Sequence, residues 1–328
     1  MIDVQSQITI KRIKQKNRAD RMTKSIFMGA GMLSASFIIL IIVIVAIKGL
    51  SPFLITYEGY NSNIGILELP KVNPFLFVTA NQWLDGPLGG SSAYGVGFAI
   101  INTIIAVILS ITITLPVAIM TALLIAKIAP KRFAEVLRTV VELLASIPSI
   151  VYGVIGLGVI APIVASIGTL FGYQTAAGLS LLSTVFVLFM MTLPTITAVA
   201  ETSIRSVKND IIEGSLALAA SPMQTYFKVV LTSAKSGIFA GVILGVGRAL
   251  GEATAVSMVS GNAFSGVTLN VLDTTSTLTS RMLMGLKETT GIDYDVRFSV
   301  ALVLMLVIII TNVLLKFVMK KVGNLDEK

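Results

Sequence analysis

The chain has 328 residues, 55% of them hydrophobic and 13% charged, with a formal net charge of +8 and a mean hydropathy of +0.89. Soluble domains carry about 25% charged residues, so this composition excludes a cytoplasmic enzyme and a disordered chain and describes an integral membrane protein. The chain has neither cysteine nor histidine. Disulfides, thiolate nucleophiles, cysteine-ligated metals and histidine chemistry are therefore excluded, and no metal or cofactor is expected.

A transmembrane helix needs roughly 20 mostly apolar residues. Six stretches qualify: Ser25–Ile47; Tyr94–Ala126 around Pro116; Val140–Ser166, containing Pro148 and Pro162; Thr175–Ala200, with Pro194; Gly237–Ser260; and Ser299–Met319. The first is too long for a signal-peptide core and has no small-residue cleavage site after it, so it reads as an uncleaved anchor. Lys11, Arg12, Lys14, Lys16, Arg18, Arg21 and Lys24 precede it. That basic block should stay in the cytoplasm, which with six crossings puts both termini inside. The positive charge thus reflects topology, and no nucleic-acid partner is expected.

On this map residues 1–24 are a basic cytoplasmic tail, 25–49 the first helix, 50–93 an external loop, 94–321 the core and 322–328 a second cytoplasmic tail. Trp83, in the external loop, is expected to anchor at the membrane interface. Loop 201–236 is the longest on the inside. Its residues Glu213 to Ala220 are good helix formers with an acid near the start, and Ser221-Pro222 should cap and open a second short helix. Two short helices joined at Ala219 would make a knob that another protein could grip. An ordinary amphipathic loop on the inner face explains the same pattern.

In the fifth stretch Gly237, Gly241 and Gly245 step by four, and Arg248 and Glu252 continue the same helical stripe. Glycines permit close helix packing. A charge at mid-membrane costs about 2.5–3.5 kcal/mol on insertion scales, so such residues are functional candidates. Arg248 can meet an oxyanion in a pathway while Glu252 limits how tightly it binds; a purely structural salt bridge between the two is the alternative. Glu142 reads as a buried acid near the inner end of the third stretch, reaching the inner interface or pairing with a loop cation such as Arg138, four residues back. Pro148 and Ser149 read as a kink.

Glu213-Gly214-Ser215, then Leu218 to Pro222 and Lys228-Val-Val-Leu, resemble the EAA loop of ABC importer permeases, although Ala219 stands where that family has glycine and Thr232 where it has proline. Gly-Arg-Ala-Leu-Gly-Glu in the fifth stretch, continuing through Ser260-Gly261-Asn262, resembles the phosphate importer permeases, the PstC type more than the PstA type. So does Ala145 to Gly153. The resemblance implies an all-α, six-helix membrane protein with a type I ABC importer permease core in a bacterial cell membrane. Its implied partners are a homologous second permease in a heterodimer, a dimeric ATP-binding subunit on the coupling loop, an external phosphate-binding protein and phosphate itself. The chain has no Gly-x-x-x-x-Gly-Lys-Ser/Thr phosphate loop, so ATP hydrolysis should lie on a partner chain. Sulfate, molybdate or phosphonate as cargo, or a role as a sensor of phosphate status, are the alternatives.

Overall fold

The computed structural model describes residues 2–61, 65–83 and 94–323, with side chains described for residues 20–58, 68–83 and 94–321. Pro87, the tail residues 324–328 and the side chains of Lys11 to Arg18 lie outside the described residues. The chain forms two units, residues 1–48 and 49–328. The first is helical, part of α1 (Ile2–Leu54).

The second unit begins with an antiparallel hairpin of β1 (Tyr57–Asn61) and β2 (Gly65–Leu69), pairing Tyr57 with Leu69, followed by the short helix α2 (Pro74–Thr79). Then come α3 (Gly97–Leu123), α4 (Lys131–Ser146), α5 (Ser149–Ile155), α6 (Ala161–Leu170) and α7 (Leu181–Arg205). The rest is α8 (Asn209–Ala217), α9 (Pro222–Gln224), α10 (Leu231–Gly251), α11 (Thr254–Val259), α12 (Leu278–Leu283) and α13 (Ile292–Gly323). Wider π-helical turns extend α3 over Leu124–Ile128, join α5 to α6 over Gly156–Ile160, and join α9 to α10 over Thr225–Val230. The turn at Gly156–Ile160 has a local cause. Pro162 has no N–H to give Gly158, and its ring crowds that carbonyl, so the ladder widens before it; Ala161 N–H bonds to the Gly156 carbonyl.

Among the described residues six helical spans are long and apolar enough to cross a membrane: Asp20–Leu54, Gly97–Ile128, Ser149–Leu170, Leu181–Arg205, Pro222–Gly251 and Ile292–Lys321. Four of the expected spans need new boundaries, the fourth among them, which runs Leu181–Arg205 and not Thr175–Ala200. The third span starts at Ser149, because Ile147 and Pro148 are extended and separate it from α4; a residue before proline is pushed out of the helical region. Helix α4 is a separate amphipathic helix, with Arg132, Glu135, Arg138 and Glu142 interleaved among apolar residues. The fifth span starts at Pro222 and ends at Gly251, well short of Ser260. The sixth starts at Ile292.

Helix α7 is the centre of the bundle. Leu181, Val185 and Leu188 pack with Ala106 and Val107 of α3 and with Val246 and Leu250 of α10, and the buried hydroxyls of Thr114 and Thr192 bond at 3.1 Å between α3 and α7. At the loop end of the bundle Trp83 is fully buried, not an interfacial anchor. Its ring meets Tyr94 edge-on at 5.4 Å and lies 5.7 Å from the Arg281 guanidinium and 5.9 Å from that of Arg297. Both arginines are thus buried against an aromatic face.

Tyrosine–aspartate bonds tie the loops down. Tyr57 donates to Asp295 at 2.7 Å, Tyr94 to Asp293 and Tyr173 to Asp273. Burial, then the Asp295 bond, pushes the Tyr57 phenol above its ordinary value. Asn102 on α3 is fully buried; its side-chain oxygen accepts from Thr268 N–H at 2.8 Å, and its amide donates to the Gly266 carbonyl at 3.3 Å. An unpaired buried backbone group costs about 1–3 kcal/mol. Asn102→Ala should therefore lower the thermal midpoint in detergent and speed proteolysis within loop 264–277, as read by mass mapping of the fragments.

Candidate functional site: a charged helix break and an elbow

Gly237, Gly241 and Gly245 of α10 face α7. A Cβ on Gly245 would lie 2.6 Å from Ile196 Cδ1, and one on Gly241 3.2 Å from Val199 Cβ. The two helices approach too closely there for a side chain. Arg248 follows in the last turn of α10, half-buried, and its Nη1 donates to Thr195 Oγ1 of α7 at 2.9 Å.

The stripe does not continue to Glu252. Helix α10 stops at Gly251 and Glu252 is extended, with φ −74° and ψ 115°. Its carboxylate Oε1 accepts the backbone N–H of Ala255 at 3.0 Å, and its carbonyl accepts the Thr279 hydroxyl at 2.7 Å. The pairing expected from four-residue spacing is not made: among the described residues no ion pair joins Arg248 to Glu252. Each charge is instead matched to a helix end. A cation is favoured in the last turn of α10, and a carboxylate where the first N–H groups of α11 are exposed.

The break at Pro148 sets α5 against this region. Tyr152 donates back across the break to the Leu144 carbonyl at 2.7 Å, and a Cβ on Gly153 would lie 3.0 Å from Ala255 Cα. Ser149 starts α5 and Pro148 caps it. The contact of Gly153 with Ala255 makes the two breaks neighbours.

Between α7 and α10 the chain makes the elbow. Helix α8 ends in a Schellman turn: Ala219 N–H bonds to Leu216 O at 3.0 Å and Ala220 N–H to Ser215 O at 3.3 Å. Ala219 takes the left-handed position, with φ 61°. Ser221 and Gln224 then form a reciprocal capping box, with Pro222 in the first turn. Ser215 Oγ bonds the fully buried Thr225 Oγ1 at 2.9 Å, pinning the two sides together. Glu213 and Gly214 are exposed on α8. The second arm is not a short helix, because α9 runs through the π-helical turn into α10.

A second charged centre lies at the foot of α7. Glu201 is 6% exposed. Its Oε1 accepts Arg138 Nε at 3.0 Å as well as Arg138 Nη2, and Arg205 Nε at 2.9 Å. The carboxylate strengthens the hold of Arg138 on its proton. Glu142 is exposed and does not take Arg138 as its partner; it borders, with Arg138, Glu201 and Arg205, a cavity of about 320 Å³.

Residues 115–324 match the family described as binding-protein-dependent transport system inner membrane component. The chain belongs to this family. It is 33% identical over 288 residues to a probable ABC transporter permease protein, YqgH, of Bacillus subtilis, covering 87% of this chain and 85% of that one. It is 30% identical over 284 residues to the phosphate transport system permease protein PstC 1 of Mycobacterium tuberculosis (77% and 84% covered). Identity is also 30% over 268 residues to PstC of Pasteurella multocida (76% and 82%). In fold it is similar to a chain in the crystal structure of a bacterial ABC transporter involved in the import of the acidic polysaccharide alginate. There the TM-score is 0.50 and the identity 14%, with 68% of this chain and 78% of that chain covered.

The chain is thus a multi-pass ABC importer permease subunit, not itself an enzyme. Within this permease Arg248 and Glu252 fall at one break, while Glu213 to Pro222 form a separate feature at the elbow. Sequence reasoning missed Glu201, because the loop was taken to start there. The apolar pattern Ala200, Ile204, Val207 carries the helix on, and Glu201 with Arg205 has helical salt-bridge spacing. The elbow gives a prediction. Left-handed alanine costs about 1–2 kcal/mol, and glycine's extra freedom when unfolded returns up to about 1 kcal/mol of that. Ala219→Gly should therefore tighten the turn and slow amide exchange at Ala220 severalfold, measured by hydrogen exchange.

Proposed function

We propose that this permease forms half of the translocation pathway of an ATP-driven inorganic phosphate importer, with Arg248 meeting the anion. One observation carries the reading. Arg248 sits at a helix break beside Thr195, its one side-chain partner among the described residues, and a guanidinium has five donors. A neutral hydroxyl orients the fork without neutralising it, so donors and charge remain for a tetrahedral oxyanion. Glu252, one helical turn on in sequence and held by the Ala255 N–H, adds a nearby negative charge that keeps binding weak enough for release. The PstC relatives, named for phosphate transport, support phosphate over other oxyanions.

The elbow is the handle for the ATPase. Leu218 is 86% exposed and Met223 52%, an apolar tip on a turn stiffened by its Schellman and capping-box bonds. Such a tip fits an apolar cleft on an ATP-binding subunit. The basic amino-terminal block puts this side of the protein in the cytoplasm of a bacterial cell. A homologous permease completes the pathway, and an external phosphate-binding protein delivers the anion.

Labelled phosphate uptake at micromolar concentration, in cells with and without the chain, tests the cargo. Chain-dependent uptake that ignores excess sulfate and molybdate is expected; loss to either competitor would reassign the cargo. Arg248→Gln should abolish uptake while the complex still purifies intact, and unchanged uptake would remove Arg248 from the pathway. Leu218→Asp with Met223→Asp should release the ATPase subunit on affinity purification; full occupancy would show that the elbow is not its dock.

A further inference from the structure

On the reading above the buried carboxylate of Glu201 neither binds cargo nor docks the ATPase, yet among the described residues it is the group that hydrogen-bonds α7 to α4. It lies on the last turns of α7, whose neighbours Ala200, Ile204 and Val207 pack with Val230, Ala234 and Ile238 at the foot of α10. Both stems of the elbow are therefore one packed body. From it, Glu201 reaches out to Arg138 of α4 with two hydrogen bonds to one oxygen. Arg205 holds that same oxygen at 2.9 Å, which fixes the carboxylate's direction.

Helix α4 in turn leads through Ile147–Pro148 to α5, tied back by Tyr152 to Leu144. Gly153 of α5 lies against Ala255 of α11, the helix whose first N–H groups hold Glu252. We propose that Glu201 is a positioning residue. Through its ion pair with Arg138 it makes α4 follow the foot of α7, so that displacement of the elbow reaches the Arg248–Glu252 break. Apolar packing lets helices slide past one another. A directional, charge-assisted pair on a buried carboxylate resists sliding, since sliding breaks both of its hydrogen bonds.

This inference rests on the elbow being the ATPase dock. Its test uses the complete transporter, both permeases with the ATPase and binding protein, in proteoliposomes. Arg138→Gln is the principal variant, because Arg138 is partly exposed and Glu201 keeps Arg205 as partner. Phosphate moved per ATP hydrolysed should fall about tenfold, within the 5–150-fold range of typical couplings, with the ATPase still bound. Glu201→Gln should act alike and the double variant no worse than either, the non-additivity of one shared interaction. Glu201→Asp should recover part of the loss.

The second readout does not depend on the cargo. The chain has no cysteine, so spin labels at Leu143→Cys on α4 and Thr112→Cys on α3 report the movement of α4 directly. A nucleotide-driven distance change in the parent chain should shrink by at least half in Arg138→Gln. An unchanged distance response, or uptake and hydrolysis falling in equal proportion along with thermal stability, would overturn the proposal and leave Glu201 a structural pair. Failure of the parent chain to carry phosphate would overturn the cargo alone, since the distance readout stands without it.

Discussion

A helix can break within a packed interior only where the protein supplies partners for the freed N–H and C=O groups. The rest of this structure depends on how that constraint is met after Gly251. The Glu252 carbonyl is taken by Thr279 in the first turn of α12, and the N–H of Ala255 by the Glu252 carboxylate. The start of α12 and the loop before it are themselves held down, the helix by Thr103, which accepts from Leu278 N–H at 2.9 Å, and the loop by Asn102 to Thr268 and Gly266. The interruption in α10–α11 is built from contacts far along the chain.

Helix α7 ties the two charged centres to one axis. Thr195 orients Arg248, and Glu201 gathers Arg138 and Arg205. The two positions are six residues apart, about 9 Å along a helix at 1.5 Å per residue. The glycine face of α10 lies flat on the same helix, with Gly241 against Val199 and Gly245 against Ile196. Close approach there leaves no room for lipid or for a shift of register, so the foot of α10 and α7 behave as one strut. Helix α4, amphipathic and outside the six spans, is attached to that strut by charge.

What was legible in the sequence follows from the range of the signals. Hydropathy is summed over some 20 residues, so the six spans were plain. The Schellman and capping-box turns at Leu216 to Gln224 are local, and Ser221-Pro222 announced its helix start. Spacing rules, by contrast, register only neighbours along a continuous helix. They joined Arg248 to Glu252 across a break that depends on Thr279, and gave Arg138 to Glu142 when its partner lies 63 residues away. Trp83 failed for the same reason. Nothing near it in sequence reveals that Tyr94, Arg281 and Arg297 close around its ring.

The arginines of this protein separate by the chemistry of their partners. Arg138 gives two donors to a carboxylate; its charge is cancelled, and a passing anion would gain little from it. Arg281 and Arg297 are enclosed by an aromatic ring and by backbone carbonyls, those of Asn262 and Ala263 for Arg281 and of Met284 and Asp293 for Arg297. That cage holds a cation in place without offering it to solvent. Arg248 is half-buried at a helix break, and its one side-chain partner among the described residues is a neutral hydroxyl. If Arg248 meets the anion as proposed, full pairing would close the site, and a bare guanidinium in low dielectric would hold an oxyanion too long to pass it on. A hydroxyl on one nitrogen and a carboxylate just past the break would then give the intermediate affinity that transit requires.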